Sequence, residues 1–185
     1  MTETSISGGA ALILKAAADV LQEVGLQAAT TRAVTDRAGV GRGLLNHYFR
    51  WPELRAMAWE AVFAEVAATE EAPQKALETW LATAFMPEAR AYWRLWLEAT
   101  DLAATDPAMA AALGRVQRRL LAALANSLAQ GSAAGHWRCA DAEATALRLT
   151  ALQDGLAGLL LAGTTDLTPA QAEDHLRRAV ALELG

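Results

Sequence analysis

The chain holds one cysteine, so Cys139 excludes any intramolecular disulfide, and no Cys/His cluster with metal-ligand spacing accompanies it. Cys139 reads as an ordinary small residue near a turn. No G-x-S-x-G, phosphate-binding loop or dinucleotide fingerprint occurs, and His136, His175 and Cys139 lack a catalytic partner at local spacing. No alternating β-branched run suggests a strand. The longest apolar stretches, such as GLAGLLLAG at 155–163, fall well short of the ~20 residues of a membrane span, and no charged-then-apolar signal opens the chain. The expectation is a soluble, cytoplasmic, all-α protein with no cofactor, no metal and no membrane partner. A hydrophobic share of 54% over 185 residues excludes wholesale disorder and suffices for one compact unit or two small domains.

Proline is scarce, and each of the five stands where a helix can begin: Pro52, Pro73, Pro87, Pro107 and Pro169. The first helical position suits proline because its missing N–H has no intrahelical partner there. Asp106 before Pro107 reads as an N-cap, and Thr168-Pro169-Ala170-Gln171 as a capping box. Further starts near Gly9, Thr31, Arg42 and Asp141 bring the expectation to nine helices. The first runs through Ile13 to Val24, with Ile13, Ala16, Ala17, Val20, Leu21 and Val24 inward, and stops at Gly25. The fourth runs from Pro52 to about Ala68 with Leu54, Met57, Ala58, Ala61 and Val62 inward. Pro73 to Met86, Pro87 to Thr105, Pro107 to Gln130, a loop GSAAGHWRCA, Asp141 to Ala162 and Pro169 to Leu184 follow.

The net charge of −5 argues against a nucleic-acid partner, but its distribution argues otherwise. Within 29–50, Arg32, Arg37, Arg42 and Arg50 stand against Asp36 alone, so that segment carries +3 and the remainder −8. The same segment, TRAVTDRAGVGRGLLNHYF at 31–49, reads as two short helices joined by a glycine turn. Thr31 would cap the first, Ala33, Val34 and Ala38 would face a core, Gly39 would end it, and Leu44, Leu45 and Phe49 would continue the apolar stripe. This is a helix-turn-helix pattern, whose second helix enters a DNA major groove.

The helix Ile13 to Val24 followed by GLQAATTRAV, then AGV, then HYF, resembles the N-terminal domain of TetR-family one-component regulators. Within that family GRGLLNHYF is similar to the branch containing choline-responsive regulators of betaine synthesis. The resemblance implies a nine-helix architecture: a three-helix DNA-binding bundle over 1–51 and a helical effector-binding and dimerisation domain over 52–185. It implies a repressor that binds a palindromic operator in double-stranded DNA as a homodimer and leaves it when a small-molecule effector binds. Three positions depart from the family pattern. Gly41 stands where Ser or Thr usually caps the recognition helix, Thr35 replaces a common alanine, and FRWPEL lacks the lysine that touches phosphate near the start of the fourth helix.

A recognition helix needs small or hydrogen-bonding residues at its exposed N-terminal end, which Gly41, Arg42, Gly43, Asn46 and His47 provide. Arg42 is the candidate for a base or close phosphate contact, because guanidinium matches guanine O6/N7 and phosphate alike. Thr31, Arg32, Tyr48 and Arg50 suit phosphates, with Arg50 standing in for the missing lysine. His47 has a second reading as a packed residue at the helix end.

Beyond the reader, Trp80, Phe85, Tyr92, Trp93 and Trp96 cluster on the fifth and sixth helices. They read either as core or as the lining of the effector cavity that the family places there, suited to a hydrophobic or cationic molecule. Leu152, Leu156, Leu159, Leu176 and Val180 read either as one monomer's core or as the family's four-helix dimer interface. Two rival functions stay open at this level: a helical binding or scaffold protein that has lost DNA binding, and an all-helical enzyme using a buried acid such as Asp101 or Asp154.

Overall fold

A computed structural model describes residues 8–64 and 71–185. Among them are nine helices and no strand: α1 Gly8–Val24, α2 Thr31–Ala38, α3 Arg42–Tyr48, α4 Trp51–Val62, α5 Pro73–Thr83, α6 Ala89–Ala103, α7 Pro107–Ala133, α8 Ala142–Ala162 and α9 Pro169–Leu184. The punctuation has local causes. Gly25 and Gly39 take left-handed φ of 86° and 65° after α1 and α2, a conformation that costs other residues a Cβ clash. The Asp106 carboxylate accepts from the N–H groups of Ala108 and Met109, Asp141 caps α8 through the Ala144 N–H, and the capping box of Thr168 and Gln171 opens α9.

Several expected boundaries move. Thr30, not Thr31, caps α2, its hydroxyl accepting from the Ala33 N–H at 3.2 Å, and Thr31 is the first helical residue. Pro87 lies in a turn closed by Met86 O to Ala89 N, so α6 starts two residues later than proline alone indicates. α5 ends at Thr83 rather than Met86, and α7 runs on to Ala133 through the start of the expected loop. α4 ends at Val62, whereas its expected end at Ala68 lies outside the described residues.

The chain divides into two compact units. The first holds α1 to α4 together with Arg94–Val116, and the second holds α5, the start of α6 and Gln117–Gly185. In the first, Ile13, Val20, Leu21, Leu26, Val34, Leu45, Leu54 and Trp59 are almost wholly buried. Val24, Met57 and Ala61, expected inward, are exposed, and Trp59 and Phe63 fill the inward face of α4 instead. Trp59 is the largest fully buried side chain of the unit and satisfies its indole N–H on the Leu95 carbonyl at 3.0 Å. α4 thereby packs in one unit with the reader helices and the second part of α6.

In the second unit Leu77, Leu81 and Phe85 pack with Leu124 and Leu128 of α7, Leu149 and Leu156 of α8, and Leu176, Val180 and Leu184 of α9. Ion pairs border this core. Arg177 forks onto Glu78 at 2.7 and 2.9 Å and bonds Glu173, which raises its pKa through hydrogen bonds to Glu78 and then Glu173. Arg148 holds the Glu183 carboxyl below its ordinary range against the opposing effect of burial, joining α8 to α9.

Candidate nucleic-acid interface

α3 is seven residues long and buries one of them, Leu45, completely. Phe49, just beyond its end, is half-buried, so these two side chains anchor the helix. Arg42, Gly43, Asn46 and His47 all face outward. Gly41 serves as an N-cap with no side-chain hydrogen bond, and a Cβ built on Gly41 or Gly43 meets nothing within 4 Å. The missing side chains leave the peptide itself accessible to a partner.

The charged residues around α3 differ in what they already hold. Arg37 is committed to Glu23 on α1, whose carboxylate raises its pKa first by hydrogen bonding and then by charge. Arg32 has only a loose pair with Asp36 at 3.7 Å, both side chains being largely in water, an arrangement of little energetic weight that a phosphate can displace. Arg42 and Arg50 have no acidic partner among the described residues. Arg50 occupies the N-cap of α4, next to where the absent lysine is expected.

Two aromatic rings finish this face. His47 and Tyr48 meet edge to face with centroids 4.9 Å apart. Tyr48 is 38% exposed, and its ring lies in van der Waals reach of Gly9 on α1. Thr31 is half-buried at the first position of α2. Thr35, the departure from alanine, is buried with its hydroxyl satisfied by the Arg32 carbonyl at 2.9 Å.

The aromatic residues of the body fall into two groups. Trp80, Phe85, Tyr92 and Trp93 belong to the second unit, where Phe85 is buried, Trp80 and Trp93 pack partly buried against the core, and the Trp93 indole N–H donates to the Ala84 carbonyl at 2.7 Å. Trp96 belongs to the first unit, packed against the Trp59–Phe63 pair with centroids 5.7 and 5.6 Å away. Periodicity along α6 could not separate Trp93 from Trp96, because both lie on apolar faces. One open groove of about 590 Å³ is lined by Ser132, Trp137, Arg138, Cys139 and Leu184, and none of the five aromatic residues lines it.

Of the five residues considered for a dimer interface, Leu156, Leu176 and Val180 are buried in this chain's own core, and Leu152 packs against it. Leu159 alone is exposed, at 44%. It continues a stripe: Leu147, at 56%, Ala151 and Gly155 precede it at four-residue steps, all exposed. A strict i, i+4 count back from Leu159 picks out the same positions in the sequence.

Among the described residues no group of His, Cys, Asp and Glu is arranged to hold a metal, and no helix is long and apolar enough to cross a membrane.

Residues 13–50 match the model of bacterial regulatory proteins of the tetR family, and residues 70–185 match that of the BetI-type transcriptional repressor C-terminal domain. Comparison with curated proteins found no match. Among solved structures, a protein of Pseudomonas aeruginosa PAO1 assigned as a transcriptional regulator is 27% identical, with 94% of this chain and 89% of that chain covered and a TM-score of 0.71. A TetR-family protein of Rhodococcus sp. is 25% identical, covering 94% and 97% with a TM-score of 0.74. A third, from Saccharomonospora viridis and solved in complex with choline, shares the fold at 18% identity, 94% and 96% coverage and a TM-score of 0.77. The outward-facing recognition helix and these matches over both parts of the chain agree: it belongs to the TetR family of transcriptional regulators, with a BetI-type C-terminal part.

Proposed function

We propose that this protein is a one-component repressor that binds a palindromic operator as a homodimer and is released by a small-molecule effector. The observation that carries the reading is α3, a helix that keeps one residue in the core and turns Arg42, Gly43, Asn46 and His47 outward. Its small, basic and amide side chains suit base edges and phosphates. Thr31, Arg32, Tyr48 and Arg50 border it as phosphate contacts. Residues 1–51 act as the reader and 52–185 as the regulatory and dimerising part, with α4 connecting them. Such a protein works in the cytoplasm, where its DNA is.

The dimer forms through the exposed stripe of α8, Leu147, Ala151, Gly155 and Leu159, because these four apolar or small residues in register on a long helix stay exposed among the described residues. The effector is a small hydrophobic or cationic molecule held by aromatic faces, with Trp80, Phe85, Tyr92 and Trp93 as candidates. Choline is the first molecule to test, since the Saccharomonospora viridis relative was solved with it.

The test is selection of a duplex by the purified protein from a random-sequence library, followed by titration at several salt concentrations. A palindromic duplex whose affinity falls as salt rises supports the reading. If no duplex is enriched, the scaffold reading takes its place.

A further inference from the structure

Two side chains one turn apart on α6 close over the end of α1. The last carbonyls of a helix have no intrahelical partners, and Arg94 supplies one: its Nη2 donates to the carbonyls of Gln22 and Glu23 at 3.2 and 3.4 Å. Glu98 takes the other side of the junction, accepting from the backbone N–H of Leu26. Gly25 lies between them, and a Cβ there would stand 2.8 Å from both carboxylate oxygens of Glu98. The junction therefore needs glycine twice, for its left-handed φ and for the seat of the carboxylate. Leu26 is itself 2% exposed, so the bond it makes is partly sheltered from water.

The position of this latch matters because of what it joins. From Gly25 five further residues lead to Thr31, the start of α2, and α6 is a continuous helix shared by both units. The buried Leu95 and Ala99 hold the same stretch of α6 in the core of the first unit. A displacement of α6 by about 1 Å takes such hydrogen bonds past their limiting length unless the end of α1 moves with it. We propose that Arg94 and Glu98 are positioning residues of the DNA reader. They fix the end of α1, and through it α2 and α3, to α6, which makes α6 a determinant of the separation between the two readers of a dimer. This rests on the DNA-binding reading above.

The test uses the full-length protein and a duplex enriched by the wild type from a random-sequence library, together with versions of it whose centre is one base pair longer or shorter. A dimer with fixed readers discriminates between those spacings. Wild type is expected to lose about tenfold in affinity on the altered spacings, Glu98→Ala only about threefold, and Glu98→Gln, which keeps an acceptor oxygen for Leu26, about as much as wild type. A purely structural role lowers affinity for all spacings alike and leaves the ratio untouched. Glu98→Ala with the wild-type ratio overturns the proposal. Should Glu98→Ala fail to fold, Arg94→Ala is judged by the same ratio. Failure of the wild type to enrich any duplex overturns the DNA-binding reading and the latch's role with it, whereas an enriched duplex with an unchanged ratio overturns the latch alone.

Discussion

Arg55 donates to the Asp106 carboxylate across 2.7 Å, with the two side chains only 18% and 10% exposed. The pair ties α4 to the start of α7, because the other carboxylate oxygen accepts from Ala108 and Met109 at 3.0 and 3.1 Å. Arg55 Nε is buried without a hydrogen-bond partner among the described residues, so the guanidinium relies on Asp106 for its compensation. Asp106→Ala removes the cap and strands the charge, and is expected to destabilise the protein by about 3–5 kcal/mol in urea unfolding.

The same carboxylate sets an acid limit. Burial pushes its pKa up, but the Met109 N–H, the Arg55 guanidinium and the Ala108 N–H outweigh that and leave it below the ordinary value. Its contribution is therefore complete above the unfolded carboxyl range near ~4 and is lost as the pH falls through the lower folded value. Urea midpoints measured from pH 7 downward should drop below that range more steeply in wild type than in Asp106→Asn. Parallel curves would remove the assignment.

On DNA, Arg42 and Arg50 should separate. Arg42→Ala is expected to cost ~1–3 kcal/mol on the selected duplex and to relax base preference at one position per half-site, while Arg50→Ala weakens all sequences alike. Equal affinity of wild type and Arg42→Ala at matched salt would take base reading away from Arg42.

For assembly, Leu159→Lys and Leu156→Lys are the informative contrast. Leu159 is 44% exposed in the single chain and Leu156 8%, so a charge at 159 should produce a folded monomer in sedimentation, whereas one at 156 should lower the unfolding midpoint. A Leu159→Lys protein that stays dimeric at micromolar concentration would move the interface off this stripe.

Trp96 gives a fourth contrast. Packed with Trp59 and Phe63 and 7% exposed, it should behave as core, so Trp96→Ala is expected to cost about 3–5 kcal/mol in folding stability. Loss of effector-induced release from DNA at unchanged stability would return Trp96 to the effector site.

These contrasts trace what the sequence made legible. Caps and breakers act within a few residues, which is why Gly25, Gly39, Asp106 and the Thr168 box are legible in the sequence. Thr30 and Thr31 are chemically identical, and only backbone geometry decides between them. α8 is apolar around most of its circumference, so periodicity found the helix without finding its inward face, and Leu156 and Leu159 looked equivalent. The contacts of Arg94 and Glu98 with Gln22, Glu23 and Leu26 join residues some seventy positions apart, and no local pattern encodes such a pairing.

The packing of Trp59 against Trp96 carries a spectroscopic consequence. With ring centroids 5.7 Å apart and almost no exposure to water, the two indoles are close enough for their excited states to couple, and they emit from an apolar site. Both belong to the unit that carries the reader, whereas Trp80, Trp93 and Trp137 report from the other. A Trp59→Phe protein should lose that coupled signal from its circular dichroism, which turns the native tryptophans into an optical label for the DNA-reading half without any dye attached.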